Sequence, residues 1–301
     1  MKKIIVILLA LTQIGCSTQV EEAKISGQPD IKIDEDGNSL LWMITSDNLQ
    51  DTSFIFGTMH LIQKEYFYFP ENLKTLIASS ETVVMELVGE PNPMDVMKMM
   101  SLDKGSLFDM LSKEQGDSLL DWGQKNMNMS EDMFKSSFGK MKPFAVSMVT
   151  MTLAMQGDIE SYEMEIKELI KNEKIKGVGL ETMEEQIAFF DDFTDEEQVQ
   201  MLMESIKDDE KTEDLTKKMQ QIYKRQNLDS LYVMITEQSE SIAGKDAELL
   251  DDRNKNWIPK IEKLIAKKRT FIAVGAGHLG GPQGVIRLLQ KEGYTLTPIE
   301  L

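Results

Sequence analysis

The stretch Thr270 to Gly284, TFIAVGAGHLGGPQG, decides how this chain is read. Thr270 to Val274 is a run of β-branched, aromatic and small apolar residues with the pattern of a buried strand, and it leads at once into Gly275, Gly277 and His278. The glycines remove side chains where the backbone must turn, so His278 is expected to project beyond the sheet edge. Gly280, Gly281 and Gly284 continue a permissive loop. The arrangement recurs near the other end of the chain, where Thr52 to Phe56 predicts a strand that runs into Gly57-Thr58-Met59-His60. Both segments read strand, then Gly-x-x-His, and they hold the only 2 histidines of the 301 residues. With 19 glycines in 301 residues, chance puts a glycine at that spacing before both histidines roughly once in 250 cases. A lone histidine is more often an ordinary core or loop residue than a functional one, but the matched pair reverses that preference.

Working outward from the two histidines, Ser39 to Thr45 (SLLWMIT) and Thr52 to Phe56 (TSFIF) predict a hairpin joined by turn-forming residues. Pro70 to Ser79 reads as a short helix and Thr82 to Leu87 (TVVMEL) as a strand with Glu86 near its end. From Pro91 to Gly157 the pattern changes to helices rich in methionine and acidic residues. Met148, Met151 and Met155 recur there at helical spacing, as a packed face or as the lining of an apolar groove. Ser161 to Glu173 is an amphipathic helix, and Lys176 to Leu180 a short strand that delivers Glu181. Further helices are predicted over Thr194 to Lys207, Lys211 to Tyr223 and Leu228 to Gln238. A longer one, Lys245 to Lys267, is interrupted by Pro259 and carries Arg253, Asn254 and Trp257. After the His278 strand come a helix, Val285 to Glu292, and a last strand, Tyr294 to Ile299. The expected fold is α/β: one domain over 39–301, whose mixed sheet is built from N- and C-terminal strand-helix units. A large helical insertion at about 91–156 and a helical block at about 194–243 interrupt it.

Apolar content of 41% and charged content of 28% are those of a folded globular chain. A formal net charge of −18, with no cluster of Lys and Arg among aromatics, excludes nucleic-acid binding. At the N-terminus, Met1-Lys2-Lys3 and the eight apolar residues Ile4 to Leu11 read as a signal peptide over 1–15. That apolar run is too short to span a bilayer, which needs about 20 residues. Gln13-Ile14-Gly15-Cys16 resembles a bacterial lipobox, with Gln13 where leucine is usual. It predicts an exported protein lipid-anchored through Cys16 to the cell envelope, with a plain soluble exported protein as the alternative. Cys16 is the only cysteine, so its lipidation would leave no thiol for disulfides, nucleophilic catalysis or metal binding. Residues 16–38 are polar and acidic, as expected of a flexible tether.

In open α/β sheets, sites form beyond the C-terminal ends of strands, and four predicted strands here end in His60, Glu86, Glu181 and His278. Two imidazoles with one or two carboxylates suit a divalent metal that keeps an open position, and a carboxylate not used as a ligand can serve as general base. Arg253, where its helix faces the pocket, would stabilise an oxyanion or grip a substrate carboxylate. HExxH, the phosphate-loop pattern GxxxxGK[ST] and a Gly-x-Ser-x-Gly elbow are all absent from the sequence.

The chain resembles the TraB/GumN family, which includes the Tiki proteins. The resemblance rests on FGTMH at Phe56 to His60, VMEL at Val84 to Leu87, GLETMEEQ at Gly179 to Gln186, RNKNW at Arg253 to Trp257 and GAGHLGGPQG at Gly275 to Gly284. It covers nearly everything from Leu40 to Leu301, the region of about 91–156 matching only in general character. It implies a metal-dependent peptidase or related hydrolase, with manganese or cobalt favoured in animal relatives and zinc as a further candidate. On this expectation His60, His278 and Glu86 hold the metal, Glu181 serves as ligand or base, and Arg253 with Asn254 orients a peptide or protein substrate. A different class remains open: a lipid-anchored protein that binds haem, a metal or a peptide without turnover.

Overall fold

Leu41–Thr45 (β1) and Ser53–Thr58 (β2) form the predicted hairpin, paired antiparallel with Leu41 opposite Phe56. This computed structural model describes residues 32–34, 37, 39–89, 92–155, 157–207, 210–239 and 246–301. The signal segment, Cys16 and most of the expected tether therefore lie outside the described residues. After β2 come the short Ile62–Gln63 (β3), the helix Glu71–Ala78 (α1) and Thr82–Met85 (β4).

Next in the chain are Pro93–Met99 (α2), Lys113–Met127 (α3), Glu131–Phe138 (α4) and Pro143–Ala154 (α5). They are followed by Ile159–Glu160 (β5), Tyr162–Asn172 (α6), Lys176–Gly179 (β6), Met183–Asp191 (α7) and Asp195–Ser205 (α8). The chain closes with Glu210–Lys224 (α9), Leu228–Ser239 (α10), Asp246–Ile265 (α11), Thr270–Gly275 (β7), Val285–Lys291 (α12) and Thr295–Ile299 (β8). The fold is thus α/β with a mixed sheet, as the pattern of the sequence predicts.

Six strands make that sheet in the order β6-β4-β7-β2-β1-β8. The four from β6 to β2 run parallel, and β1 pairs antiparallel with both β2 and β8. β2 and β4 are buried at every position and β7 at all but its last, which is why they read as continuous apolar runs rather than alternating ones. Phe54, Phe56, Val84, Phe271 and Ile272 join Trp257, Ile261 and Leu289 in one core. At the far edge, Ile33 bridges to Ile299 and Glu300 N–H donates to the Lys32 carbonyl at 2.9 Å. Part of the expected tether therefore lies along β8.

Two compact units divide the described chain. The sheet belongs to the one formed by 25–88, 155–189 and 208–301. The other takes in 89–154 and 190–207, so the first helix of the expected second helical block sorts with the helical insertion and the later ones with the sheet. Within this helical unit the Phe144 and Phe190 rings stack 4.5 Å apart, and the Thr150 and Ser205 hydroxyls meet at 2.6 Å. Helix α11 runs unbroken through Pro259, contrary to the expected interruption. A proline removes one helical N–H, but the fully buried Trp257, Ile261 and Ile265 hold the helix against the sheet on both sides of it. Among the described residues no helix is long and apolar enough to cross a membrane.

The glycines before the two histidines serve a purpose different from the one expected. Gly275 has φ −51° and ψ 135°, open to any residue, so it supplies room rather than an unusual turn. A Cβ on Gly57 would lie 3.0 Å from both Cα and Cβ of Ala276 and 3.0 Å from Leu279 Cδ1. The end of β2 is therefore bare so that the turn leaving β7 can pack on it. Gly57→Ala should lower stability by about 1–3 kcal/mol through overpacking, read as a drop in Tm; an unchanged Tm would show that the turn moves aside freely.

Candidate functional site

Because β2, β4, β6 and β7 are parallel, their C-terminal ends meet at one edge of the sheet. Thr58 lies beside Gly275, Met85 beside Ala273, and Met85 beside Gly179. Glu86, one residue past β4, accepts the Gly275 N–H through Oε1 at 2.8 Å, and its backbone carbonyl accepts Glu181 N–H at 3.0 Å. A Cβ on Gly275 would come within 3.2 Å of that same Oε1, so the glycine keeps the carboxylate's place open.

His278 is only 4% exposed. Its Nδ1 lies 2.7 Å from Asn254 Oδ1, while the Asn254 amide nitrogen donates to the Gln283 carbonyl at 2.9 Å. That second bond fixes which end of the amide meets the ring, so Nδ1 carries the proton and Nε2 presents a lone pair. Nε2 lies 3.8 Å from Glu86 Oε1, and the ring packs against Trp257 with centroids 4.3 Å apart. Burial lowers the His278 pKa to about 4; the Arg253 and His60 charges add to this and Glu86 opposes it. The imidazole is therefore neutral at neutral pH.

Burial pushes the Glu86 carboxyl upward, yet the charges of His278, Arg253 and His60 and the Gly275 N–H outweigh it and hold the pKa at about 2. Since His278 is uncharged above pH 4, Arg253 is the principal support of Glu86 at neutral pH. Arg253 donates to Glu86 Oε2 at 2.7 Å and to Glu181 Oε2 at 2.8 Å, while its Nε reaches Glu181 Oε1 at 3.0 Å. Trp257 Nε1 donates to the same Glu181 Oε1 at 2.7 Å, and Gln186 reaches Glu86 Oε2 at 3.3 Å. Arg253, Asn254 and Trp257 all stand on α11, so one helix arranges both glutamates and His278.

His60 stands on the loop after β2, 69% exposed. Its Nδ1 lies 2.9 Å from Glu163 Oε1, which also accepts the Thr58 hydroxyl at 2.7 Å; Ser161 donates to Glu163 Oε2 at 3.2 Å. The hydrogen bond to Glu163 raises the His60 pKa to about 9. Water screens so exposed a pair, which sets the direction of the ring more than it stabilises the fold. Sequence reading passes over Glu163: it lies two residues past the Ser161 N-cap of α6, where an acidic residue is ordinary helix chemistry. Its one available signal is that Ser161 to Glu163 pairs in space with the loop bearing His60, which sequence spacing does not reveal.

A pocket of about 250 Å³ lies at this edge, lined by His60, Glu86, Ser161, Glu163, Lys167 and Gln186 with the apolar Leu61, Met85, Leu87 and Ala273. The structure thus links His278, Glu86, Glu181, Arg253 and Asn254 through direct contacts and puts His60 on the same pocket as Glu86. A divalent ion suits some of these groups better than others. His278 Nε2 and Glu86 Oε1 are two lone-pair bearers facing each other, whereas both Glu181 oxygens are taken by Arg253 and Trp257. Among the described residues no three acidic, histidine or cysteine side chains are already close enough together to enclose an ion.

Both buried groups make the metal-free protein acid-sensitive. A depressed carboxylate pKa contributes stability above its unfolded value, lost as pH falls from about 4.5 toward 2. His278, held neutral, begins the loss earlier, from about 6.5 down to 4. In chelator, the wild type should lose about 3 kcal/mol more between pH 5 and pH 2 than Glu86→Gln, by chemical denaturation; parallel curves would refute the depressed carboxyl.

The model of the TraB/PrgY/gumN family matches residues 40–298. No curated protein and no solved structure matches the chain. The match takes in every residue of the strand-end cluster together with Glu163 and the rest of the pocket. The chain belongs to the TraB/PrgY/gumN family.

Proposed function

We propose that this protein is a metal-dependent hydrolase of peptide or amide bonds, exported by its N-terminal segment and held at the cell envelope through lipid on Cys16. The observation that carries the reading is the buried pair of His278 Nε2 and Glu86 Oε1, 3.8 Å apart with no proton between them at neutral pH. Two acceptors facing each other repel unless a cation lies between them. Both histidines also engage Nδ1 with an acceptor, Asn254 or Glu163, and so direct Nε2 away from it, as metal-binding histidines do; His278 Nε2 carries a lone pair, and at the protonated His60 a bound ion would displace the Nε2 proton.

His278, Glu86 and His60 would hold the ion, with manganese, cobalt or zinc as candidates. Held there, such an ion would lower the pKa of a coordinated water and so supply a hydroxide nucleophile. The remaining work falls to the chain itself. Asn254 keeps the His278 proton on Nδ1. Arg253 keeps Glu86 ionised, and Glu181 with Trp257 keeps Arg253 in place. Glu163, whose carboxyl is held below the usual range mainly by its bond to His60 against the effect of burial, stays ionised and lines the pocket. Bonded to His60, Thr58 and Ser161, it sets the direction of the His60 ring at the pocket.

The protein stripped with chelator and refilled with manganese, cobalt or zinc should regain peptide turnover with at least one of them. His278→Ala should lose both bound metal and turnover while keeping its far-ultraviolet circular dichroism. Turnover undiminished in chelator, or stoichiometric metal or haem with no turnover over a broad peptide library, would overturn the proposal.

Asn254→Ala should weaken metal binding about 10- to 100-fold, as loss of a residue orienting a ligating histidine does. An unchanged affinity in a metal titration would remove Asn254 from this role.

A further inference from the structure

Lys167 lies on α6, four residues after Glu163, the spacing at which Glu and Lys usually pair on a helix. Here they do not pair. The Glu163 oxygens are taken by His60, Thr58 and Ser161, and no described residue forms a hydrogen bond or ion pair with the Lys167 ammonium. The side chain is half-buried and lines the pocket, whereas Lys171, a turn further on, is exposed and does not. Every other charged group on the pocket wall already has a partner: Glu86 has Arg253, and His60 has Glu163. The pocket therefore contains one uncommitted positive charge.

We propose that Lys167 binds a carboxylate of the substrate, so that the bond cut lies next to a C-terminal residue or an acidic side chain; this rests on the hydrolase reading above. A single ammonium with apolar neighbours fits a monoanion. A phosphate calls for several donors, and the nearby Glu86 and Glu163 would repel its second charge.

The test reads binding in chelator, so that neither a metal ion nor turnover contributes. N-acetyl-leucylglycine as free acid, its C-terminal amide, and N-acetyl-leucyl-aspartic diamide are titrated by NMR into the purified protein. The free acid, the aspartic probe or both should bind about fivefold tighter than the amide, the worth of a partly exposed ion pair of about 1 kcal/mol. Lys167→Ala should abolish that preference without weakening the amide, and Lys167→Arg should restore it. Which probe gains identifies the source of the carboxylate. Equal binding of acid and amide, no binding of any probe, or a preference that survives Lys167→Ala would each overturn the proposal, whatever the turnover assay gives.

Discussion

Arg253 between two buried glutamates is the interaction on which the rest of this site depends. Glu86 and Glu181 close the ends of neighbouring parallel strands, β4 and β6, and the backbone bond from Glu181 N–H to the Glu86 carbonyl brings the two residues side by side. Two ionised carboxylates in so dry a place would repel each other and lose their hydration, a cost of several kcal/mol per ion. One guanidinium answers both, because its planar donors reach two acceptors at once while its face lies 5.0 Å from the Trp257 ring. A lysine, as a point charge on a flexible stem, lacks that geometry. Removing Arg253 leaves two uncompensated buried carboxylates, whereas removing either glutamate leaves a neutral Arg–Glu pair, so the arrangement depends first on the arginine.

Helix α11 carries this organisation into the fold. Arg253, Asn254 and Trp257 occupy positions that share one face, and that face also buries Ile258, Ile261 and Ile265 in the core of the sheet unit. The apolar contacts set the depth and rotation of the helix, and the polar groups inherit a position fixed by packing. A site built this way tolerates little shift, which explains why the glycines at 57 and 275 matter through the space they leave rather than through their own dihedral angles.

Much of this was legible in the sequence because it rests on local pattern. Apolar runs identify β2, β4 and β7, and the residues that follow each run identify His60, Glu86 and His278, since a strand's last residue determines where the next side chain emerges. The hidden part depends on long-range pairing. Glu163 is 103 positions from His60 in the chain and looks like an ordinary first-turn acid of a capped helix. The partners of Arg253 and Asn254 were equally invisible, because a helix pattern says which residues share a face but not what that face meets. The grouping of helices is hidden for a related reason: α8 looks continuous with α9 and α10 in composition, yet its Val199 and Leu202 are buried in the helical unit and not among the core of the sheet unit.

Net charge is a poor guide to such a pocket. The chain carries −18 overall, and an observer of composition alone would expect an acidic cleft that repels anions. At the sheet edge the balance is different: Glu86, Glu181 and Glu163 are offset by Arg253, the protonated His60 and Lys167. Five of those six charges are tied into bonds within the protein and leave one negative charge, because Glu86 and Glu181 share a single arginine; Lys167 balances it without a direct bond. At these distances local pairs outweigh charges beyond a Debye length of roughly 8 Å, which salt screens. What a ligand meets on entering is set by Lys167, by the His278 Nε2 lone pair and by the His60 Nε2–H, not by the acidic surface that dominates the composition.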